Sequence, residues 1–238
     1  MLTRDAYLDS LERDVRAFSA LLSGGDVDAP VDSCPGWSLL DLARHLSTVH
    51  RWATDCLVSA TNADETEAPW GRDKVQVWFD DGAARLIDVL RTTDPSTPTW
   101  NFGPPPRTAA FWSRRQAHET SVHLWDARLS QGLSAPITSD LAADGVDEVV
   151  TMFFPRQVRL QRIPPLEHGL MIELVDVADA RYVLVGDGTD PDAATVATLR
   201  GPSADVLLAL WGRSDIDGLE VVGDRATAQA ILRSGIVP

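Results

Sequence analysis

The stretch RQAHETSVHLWD, residues 115–126, determines how the rest of the sequence is interpreted. It lies in a run with helical character, from about residue 108 to residue 129, that contains no glycine and no proline. Glu119 and His123 are four residues apart, and about 100° of rotation per residue places them roughly 40° apart on a helix surface. A carboxylate and an imidazole one turn apart can bind one divalent ion together. The stretch therefore predicts a helix that carries two ligands of a metal site.

A third ligand must come from another part of the chain, because a catalytic metal site usually takes three protein groups and a water molecule. His118 gives the stretch a superficial likeness to the His-Glu-x-x-His signature of zinc proteases, in which the two histidines are four residues apart. His118 and His123 are five residues apart, or about 140° around the helix. We therefore expect His118 to point away from the ion.

Composition excludes several classes of protein. The 238 residues are 44% hydrophobic and 24% charged, as in an ordinary globular protein. The net charge of −14 repels phosphate backbones and anionic lipids, so we expect neither nucleic acid nor membrane partners. No apolar run has membrane-spanning length and the first residues do not resemble a signal peptide. Cys34 and Cys56 provide neither a disulfide framework nor a metal-ligand spacing, and we expect a cytoplasmic protein.

The first half of the chain predicts a four-helix bundle, because it contains four helical segments of about twenty residues separated by loops. Ser38 is a natural N-cap of the second segment, and Asp41 completes an acidic variant of the capping box. The segments are residues 3–23, 38–60, 72–91 and 108–129.

The second half has a different pattern and predicts a small α+β domain with a mainly antiparallel sheet. We therefore expect an α+β protein of two domains, a helix bundle over residues 1–132 and an α+β domain over residues 138–238. In the second domain, helices are predicted at residues 140–154, 201–211 and 224–234, and strands at residues 170–176, 181–185, 195–199 and 218–222.

Two histidines of the second helix are candidates for the third ligand. His45 has Leu42 and Leu46 beside it and is expected on the apolar face, whereas His50, beside Arg51, is expected on the more exposed side. The pattern favours His45 modestly. The alternative is that either residue is a partly buried histidine with a satisfied hydrogen bond.

Two motifs carry a resemblance to a known family. PGWSxxDLxxHL at residues 35–46, followed by ExxxHxxD at residues 119–126, resembles the mycothiol-dependent maleylpyruvate isomerase family, which belongs to the DinB-like metal-binding bundles. The segments LRGPS at residues 199–203 and LWGR at residues 210–213 resemble the second, sterol-carrier-like α+β domain of that family. Together the motifs cover nearly the whole chain.

The resemblance implies a divalent ion, most simply zinc, held by His45, Glu119 and His123 with water. This ligand set also suits nickel, iron or manganese. It further implies that the ion activates the thiol of mycothiol, which adds to a cis-enedioic substrate and is eliminated after rotation to give the trans product. Related proteins of the superfamily resemble thiol S-transferases, which require the same activated thiol. The expected partners are therefore a small-molecule substrate and a low-molecular-weight thiol.

Three further residues could assist this chemistry. Asp126, three residues after His123, could accept a hydrogen bond from the second ring N–H of His123. The alternatives are an exposed acid or a hydrogen bond between helices. The resemblance gives Arg213 to the active site, where it could pair with a substrate carboxylate; the alternative is a surface arginine. Arg115, one turn before Glu119, predicts an ion pair with it.

The sequence leaves other functions open. One alternative is a non-catalytic binding protein or sensor that has kept the metal site, and another is a bundle whose histidines are purely structural. Nothing in the sequence indicates the substrate or the oligomeric state.

Overall fold

The computed structural model describes residues 2–190 and 194–238. The chain forms two compact units, Leu2–Pro136 and Ile137–Pro238. The domain limits expected from the sequence, 1–132 and 138–238, include Met1 and residues 191–193, which lie outside the described residues. Among the helices that are described, none is long and apolar enough to cross a membrane.

The first unit is built from the four helices that the sequence predicts. They are α1 (Arg4–Gly24), α2 (Leu39–Ser59), α3 (Arg72–Thr92) and α4 (Ala110–Ser130), each of 21 residues. A helix of this length is about 30 Å long. Two facing helices can therefore form different side-chain clusters at different positions along their axes.

Local hydrogen bonds explain where the first two helices begin. The Thr3 hydroxyl accepts a hydrogen bond from the Ala6 amide at the start of α1. At the start of α2 the Ser38 hydroxyl accepts from the Asp41 amide at 3.3 Å, while the Asp41 carboxylate accepts from the Ser38 amide at 3.0 Å. This reciprocal pair is the capping box that the sequence predicts, and it fixes the first turn of α2.

The bundle interior contains two groups of packed apolar side chains. In the first group the rings of Phe18 and Phe79 stack with centroids 5.0 Å apart, against leucines of α2. The second group contains an aromatic cluster around the fully buried Trp112. We define the aromatic cluster as Trp52, Trp100, Phe102, Phe111 and Trp112.

The second unit begins with a helix that extends further than predicted. The sequence predicts its end at residue 154, but α5 (Ser139–Glu148) passes through a π-helical segment (Val149–Phe153) into α6 (Phe154–Arg159). Pro155 is the first residue after the predicted end of this helix. It lies in the first turn of α6, directly after the π-helical segment, and the helix continues through it.

A four-stranded sheet with the order β2-β1-β3-β4 and two further helices form the rest of this unit in the described residues. β1 pairs antiparallel with β2 and β3 pairs antiparallel with β4, while β1 and β3 are parallel. The mainly antiparallel sheet is therefore confirmed. The remaining elements are β1 (Leu166–Leu174), β2 (Arg181–Gly186), β3 (Thr195–Gly201), α7 (Ser203–Leu210), β4 (Glu220–Gly223) and α8 (Arg225–Leu232).

Candidate metal centre

The three residues expected to hold a metal meet between α2 and α4. The Nε2 atom of His45 lies 3.3 Å from Oε1 of Glu119, and Nε2 of His123 lies 3.3 Å from the same oxygen. One possible ligand atom from each residue lies within 4.8 Å of the others. Two ring nitrogens and a carboxylate oxygen this close together have the composition of a site that could hold a single divalent ion.

The helix periodicity explains this arrangement. Glu119 and His123 are one turn apart and project from the same side of α4, as the sequence predicts. His45 comes from α2, and its ring centroid lies 5.1 Å from that of His123. The exposed fractions of the side chains are 36% for His45, 16% for Glu119 and 10% for His123. The group therefore opens to solvent on the His45 side.

Surrounding charges keep Glu119 ionised. Burial by itself would raise the pKa of this carboxyl group, but Arg115 and His123 outweigh burial and hold the pKa well below its ordinary value. Arg115, itself only 4% exposed, forms the predicted ion pair with Glu119 one turn away. A carboxylate that stays ionised inside the bundle is ready to bind a cation.

Asp126 orients the His123 ring. Its Oδ2 atom lies 2.9 Å from Nδ1 of His123, and because an ionised carboxylate can only accept, Nδ1 donates. The other ring nitrogen, Nε2, is thereby the one directed at Glu119. Burial alone would lower the pKa of His123, but Glu119 and Asp126 raise it to about 9. A second carboxylate behind a ligand histidine is the usual way to fix its tautomer and orientation.

The expectation for His50 was wrong. This residue was placed on the exposed side of its helix, but it is fully buried, and its Nε2 atom lies 2.9 Å from the Thr120 hydroxyl of α4. His50 is four residues after Leu46, so it lies on the same face as that buried leucine, and the neighbouring Arg51 is a poor guide to its orientation. Burial lowers the pKa of His50 to about 3, so the ring is neutral.

His118 and Arg213 have contacts of their own, each within its own unit. His118 is 2% exposed, and its ring packs edge-on to Tyr7 of α1 with centroids 6.1 Å apart. Arg213 follows α7 in the second unit, where its guanidinium donates to the carbonyl of Trp211 at 2.9 Å. Its role toward a substrate stays a prediction.

The loop that precedes α2 also contacts Asp126, which the sequence does not predict. The Ser33 hydroxyl donates to Oδ1 of Asp126 at 2.5 Å, and the Cys34 sulfur lies 3.9 Å from Oδ2 of the same carboxylate. Cys34, His123 and Asp126 form a second group of possible ligand atoms within 4.8 Å. We favour the group containing His45 and Glu119, because Asp126 is already hydrogen-bonded to Nδ1 of His123. Ser33 and Asp126 are 93 residues apart in the sequence, so no local pattern predicts their hydrogen bond.

The fold and the site define the class of protein. A four-helix bundle carries two imidazoles and a carboxylate on facing helices, which is where such bundles build their metal sites, and an α+β unit follows it. Residues 8–128 match the family described as "Mycothiol maleylpyruvate isomerase N-terminal domain", and residues 140–230 match the family's "MDMPI C-terminal domain". The chain belongs to the mycothiol maleylpyruvate isomerase family, as its motifs indicate.

Solved structures agree with this fold. The crystal structure of the mycothiol-dependent maleylpyruvate isomerase is similar to the chain, with a TM-score of 0.67 and 16% sequence identity over 94% of this chain and 95% of that one. The crystal structure of a point mutant of that enzyme has the same TM-score at 15% identity, with the same coverage. Identity at this level establishes the fold alone. Among curated proteins, no sequence matches this chain.

Proposed function

We propose that this protein is a metal-dependent and mycothiol-dependent isomerase of the maleylpyruvate isomerase type, or a closely related thiol transferase, that acts on a small molecule. One observation carries the proposal. The Nε2 atoms of His45 and His123 both lie 3.3 Å from Oε1 of Glu119. Membership of the family supplies the identity of the thiol.

The donor set fits a divalent ion. Two imidazoles and one carboxylate are the protein ligands of several catalytic zinc sites. In this chain each of the three residues has a different environment. Glu119 is paired with Arg115, His123 with Asp126, and His45 is partly exposed. A divalent ion here, most simply zinc, would supply an open Lewis-acid position that lowers the pKa of the mycothiol thiol, so that the nucleophile is available at neutral pH.

The residues of the chain would prepare this position before any substrate arrives. Asp126 holds the His123 ring so that Nε2 faces Glu119, and Arg115 keeps Glu119 ionised. Asp126 is 1% exposed and Arg115 is 4% exposed, so water does not compete for these contacts. The side chains therefore need little reorganisation when the ion binds.

A substrate with two carboxylates also requires a cationic partner. We propose Arg213 for this role, because a guanidinium can bind a carboxylate through two parallel hydrogen bonds. Arg213→Ala should then raise KM for a dicarboxylate substrate about tenfold, a change of about 1.4 kcal/mol. Arg233→Ala, which removes another arginine of the same unit, is the control. Equal KM values for both variants would refute this assignment.

The function is tested by measuring bound metal and turnover on the same preparation. We expect about one divalent ion per chain, and conversion of maleylpyruvate to its trans isomer only when both the ion and mycothiol are present. The double variant Cys34→Ser, Cys56→Ser should retain turnover, because the nucleophilic thiol belongs to the cofactor. Thiol-independent turnover would refute the mechanism.

Two further outcomes separate the alternatives. Conjugation of mycothiol to an electrophile without isomerisation would identify an S-transferase. Metal and thiol binding without either reaction would identify a binding protein or sensor.

A further inference from the structure

His45, Glu119 and His123 are called the metal-ligand group below. A cleft of about 470 Å³ lies beside His45, the most exposed member of that group. Its volume is within the range of pockets that bind small molecules. The N-terminal part of α2 forms its floor, and the loops on either side of α2 form its walls. The residues that give the cleft its chemistry are Trp37, Asp41, His45, Glu67 and Trp70.

Arg44 holds one wall of the cleft in place. Its guanidinium carbon lies 3.4 Å from the centroid of the Trp70 ring. The same guanidinium donates to the carbonyl oxygens of Pro69 and Ala68 at 3.2 and 3.1 Å. One side of the indole is therefore covered by the arginine, while Trp70 as a whole remains 66% exposed at the edge of the cleft. A large aromatic side chain fixed in an exposed position is suited to contact a ligand.

The loop that precedes α2 also contributes an indole to the cleft. Trp37 is 36% exposed, and its ring centroid lies 5.1 Å from that of His45. Asp41 and Glu67 add carboxylates to the same cleft. The apolar faces of sugar and cyclitol rings pack on indole rings, and their hydroxyl groups donate to carboxylates. The two carboxylates outnumber the one guanidinium of the lining, that of Arg44, so the cleft is better suited to a neutral polyol than to a dicarboxylate substrate.

We infer that this cleft binds the glucosaminyl-inositol part of mycothiol, with Trp70 and Trp37 contacting its rings and Glu67 accepting hydrogen bonds from its hydroxyl groups. The inference rests on the proposed function, which names the thiol. Mycothiol is a neutral molecule whose two rings are joined through an amide to N-acetylcysteine. With the rings in the cleft, the thiol end would face His45, one of the three residues that would hold the ion.

The experiment uses a probe that contains neither a thiol nor a substrate group, the N-acetylated glucosaminyl-inositol. Its binding to the full chain, measured by titration calorimetry with and without metal, should be independent of the ion. Trp70→Ala should weaken binding at least about tenfold and Glu67→Gln about threefold, because the rings lose a packing surface and the hydroxyls lose a charged acceptor. Glu67 is exposed, so its substitution leaves the fold intact.

Trp78→Ala is the matched control. Its ring also lies under an arginine of α2, with the Arg51 guanidinium carbon 3.8 Å from the ring centroid and a hydrogen bond of 3.0 Å to the Trp78 carbonyl. Trp78 does not line the cleft. We expect this variant to bind the probe as the wild type does. The inference is overturned if the wild type does not bind the probe, or if Trp70→Ala and Glu67→Gln bind it as tightly as Trp78→Ala.

Failure of this inference can be told apart from failure of the proposed function. Binding of the probe that depends on Trp70, in a protein without thiol-dependent turnover, would retain the cleft and refute the proposed function. Turnover with a KM for mycothiol that is the same in Trp70→Ala and the wild type would retain the function and refute the cleft. With N-acetylcysteine, which lacks both rings, Trp70→Ala and Trp78→Ala should have the same KM.

Discussion

The metal-ligand group and the aromatic cluster both join α2 to α4, the cluster with two further rings from the loop before α4, but they have opposite physical character. At the aromatic cluster, Trp52 of α2 packs edge-on to Trp112 of α4 with ring centroids 5.2 Å apart. At the ligand group, His45 of α2 faces Glu119 and His123 of α4. The first region buries apolar surface, which stabilises the fold. The second buries charges, whose desolvation is costly unless each is paired. The pair α2 and α4 therefore carries a region that stabilises the fold and, at another position along the helices, a region suited to metal binding.

The largest effect that we expect tests the aromatic cluster. Trp112→Ala removes a fully buried indole that also donates to the Trp100 carbonyl at 3.1 Å, and it should lower the free energy of unfolding by about 4 kcal/mol. Urea denaturation measures this change. Leu129→Ala, on the same helix but 47% exposed, should change it by less than about 0.5 kcal/mol. If Trp112→Ala also emptied the metal site under native conditions, the two regions would not be independent.

The next effect tests the ligand group. His123→Ala should weaken metal binding at least about a hundredfold, or about 2.8 kcal/mol, because it removes one of three ligand atoms; His45→Ala and Glu119→Ala should do the same. Elemental analysis and chelator competition measure the loss. His118→Ala is the matched control, since it removes a buried histidine of the same helix whose ring packs against Tyr7. Loss of metal from His118→Ala and not from His123→Ala would show the ligand assignment to be wrong.

A smaller effect on metal affinity is expected at Asp126, which is hydrogen-bonded to the proposed ligand His123. Asp126→Asn keeps the size of the side chain but removes the charge that fixes the His123 ring through Nδ1, and metal affinity should fall about tenfold or more. Chelator competition again measures the affinity. Asp14→Asn is the control, because Asp14 is also buried, at 4% exposure, but is paired with Arg13. An equal loss of affinity in both variants would indicate a general effect of removing a buried acid.

The smallest effect concerns pH. In the metal-free chain the pKa of His123 is raised to about 9, so the ion must displace a proton at neutral pH, and apparent metal affinity should rise about tenfold from pH 7 to pH 8. Chelator competition at both pH values measures this change, and His118→Ala should have the same dependence. Affinity that is constant over this range would contradict the raised pKa.

The same pKa values predict opposite stability trends for two histidines in the metal-free chain. The pKa of His123 is above the unfolded value of about 6.5, so its stabilising contribution is complete below that pH and is lost as pH rises through about 9. The pKa of His50 is lowered to about 3, so its contribution is complete above about pH 6.5 and is lost as pH falls toward 3. Comparing the free energies of unfolding of the wild type and His50→Gln at pH 4 and pH 7 tests the contribution of His50, because this range lies largely below the one in which the contribution of His123 changes. Equal pH dependence of the two proteins would refute the assignment to His50.

The sequence by itself determined the features that depend on local spacing. The helix periodicity placed Glu119 and His123 on one side of α4, and the capping pattern located the start of α2 at Ser38. Both follow from backbone geometry that repeats within a few residues. The motif at residues 35–46, read together with that at residues 119–126, was enough to indicate the family.

Only the tertiary structure decided which residues meet across the bundle. The burial of His50 against Thr120, the approach of Ser33 to Asp126 and the cleft beside His45 all join parts of the chain that are far apart in sequence or lie on loops. Pairing of this kind depends on how helices are positioned against one another, and that position results from packing of the whole interior. A pattern within one helix gives the direction of a side chain, but the partner that it reaches is set by the other helices.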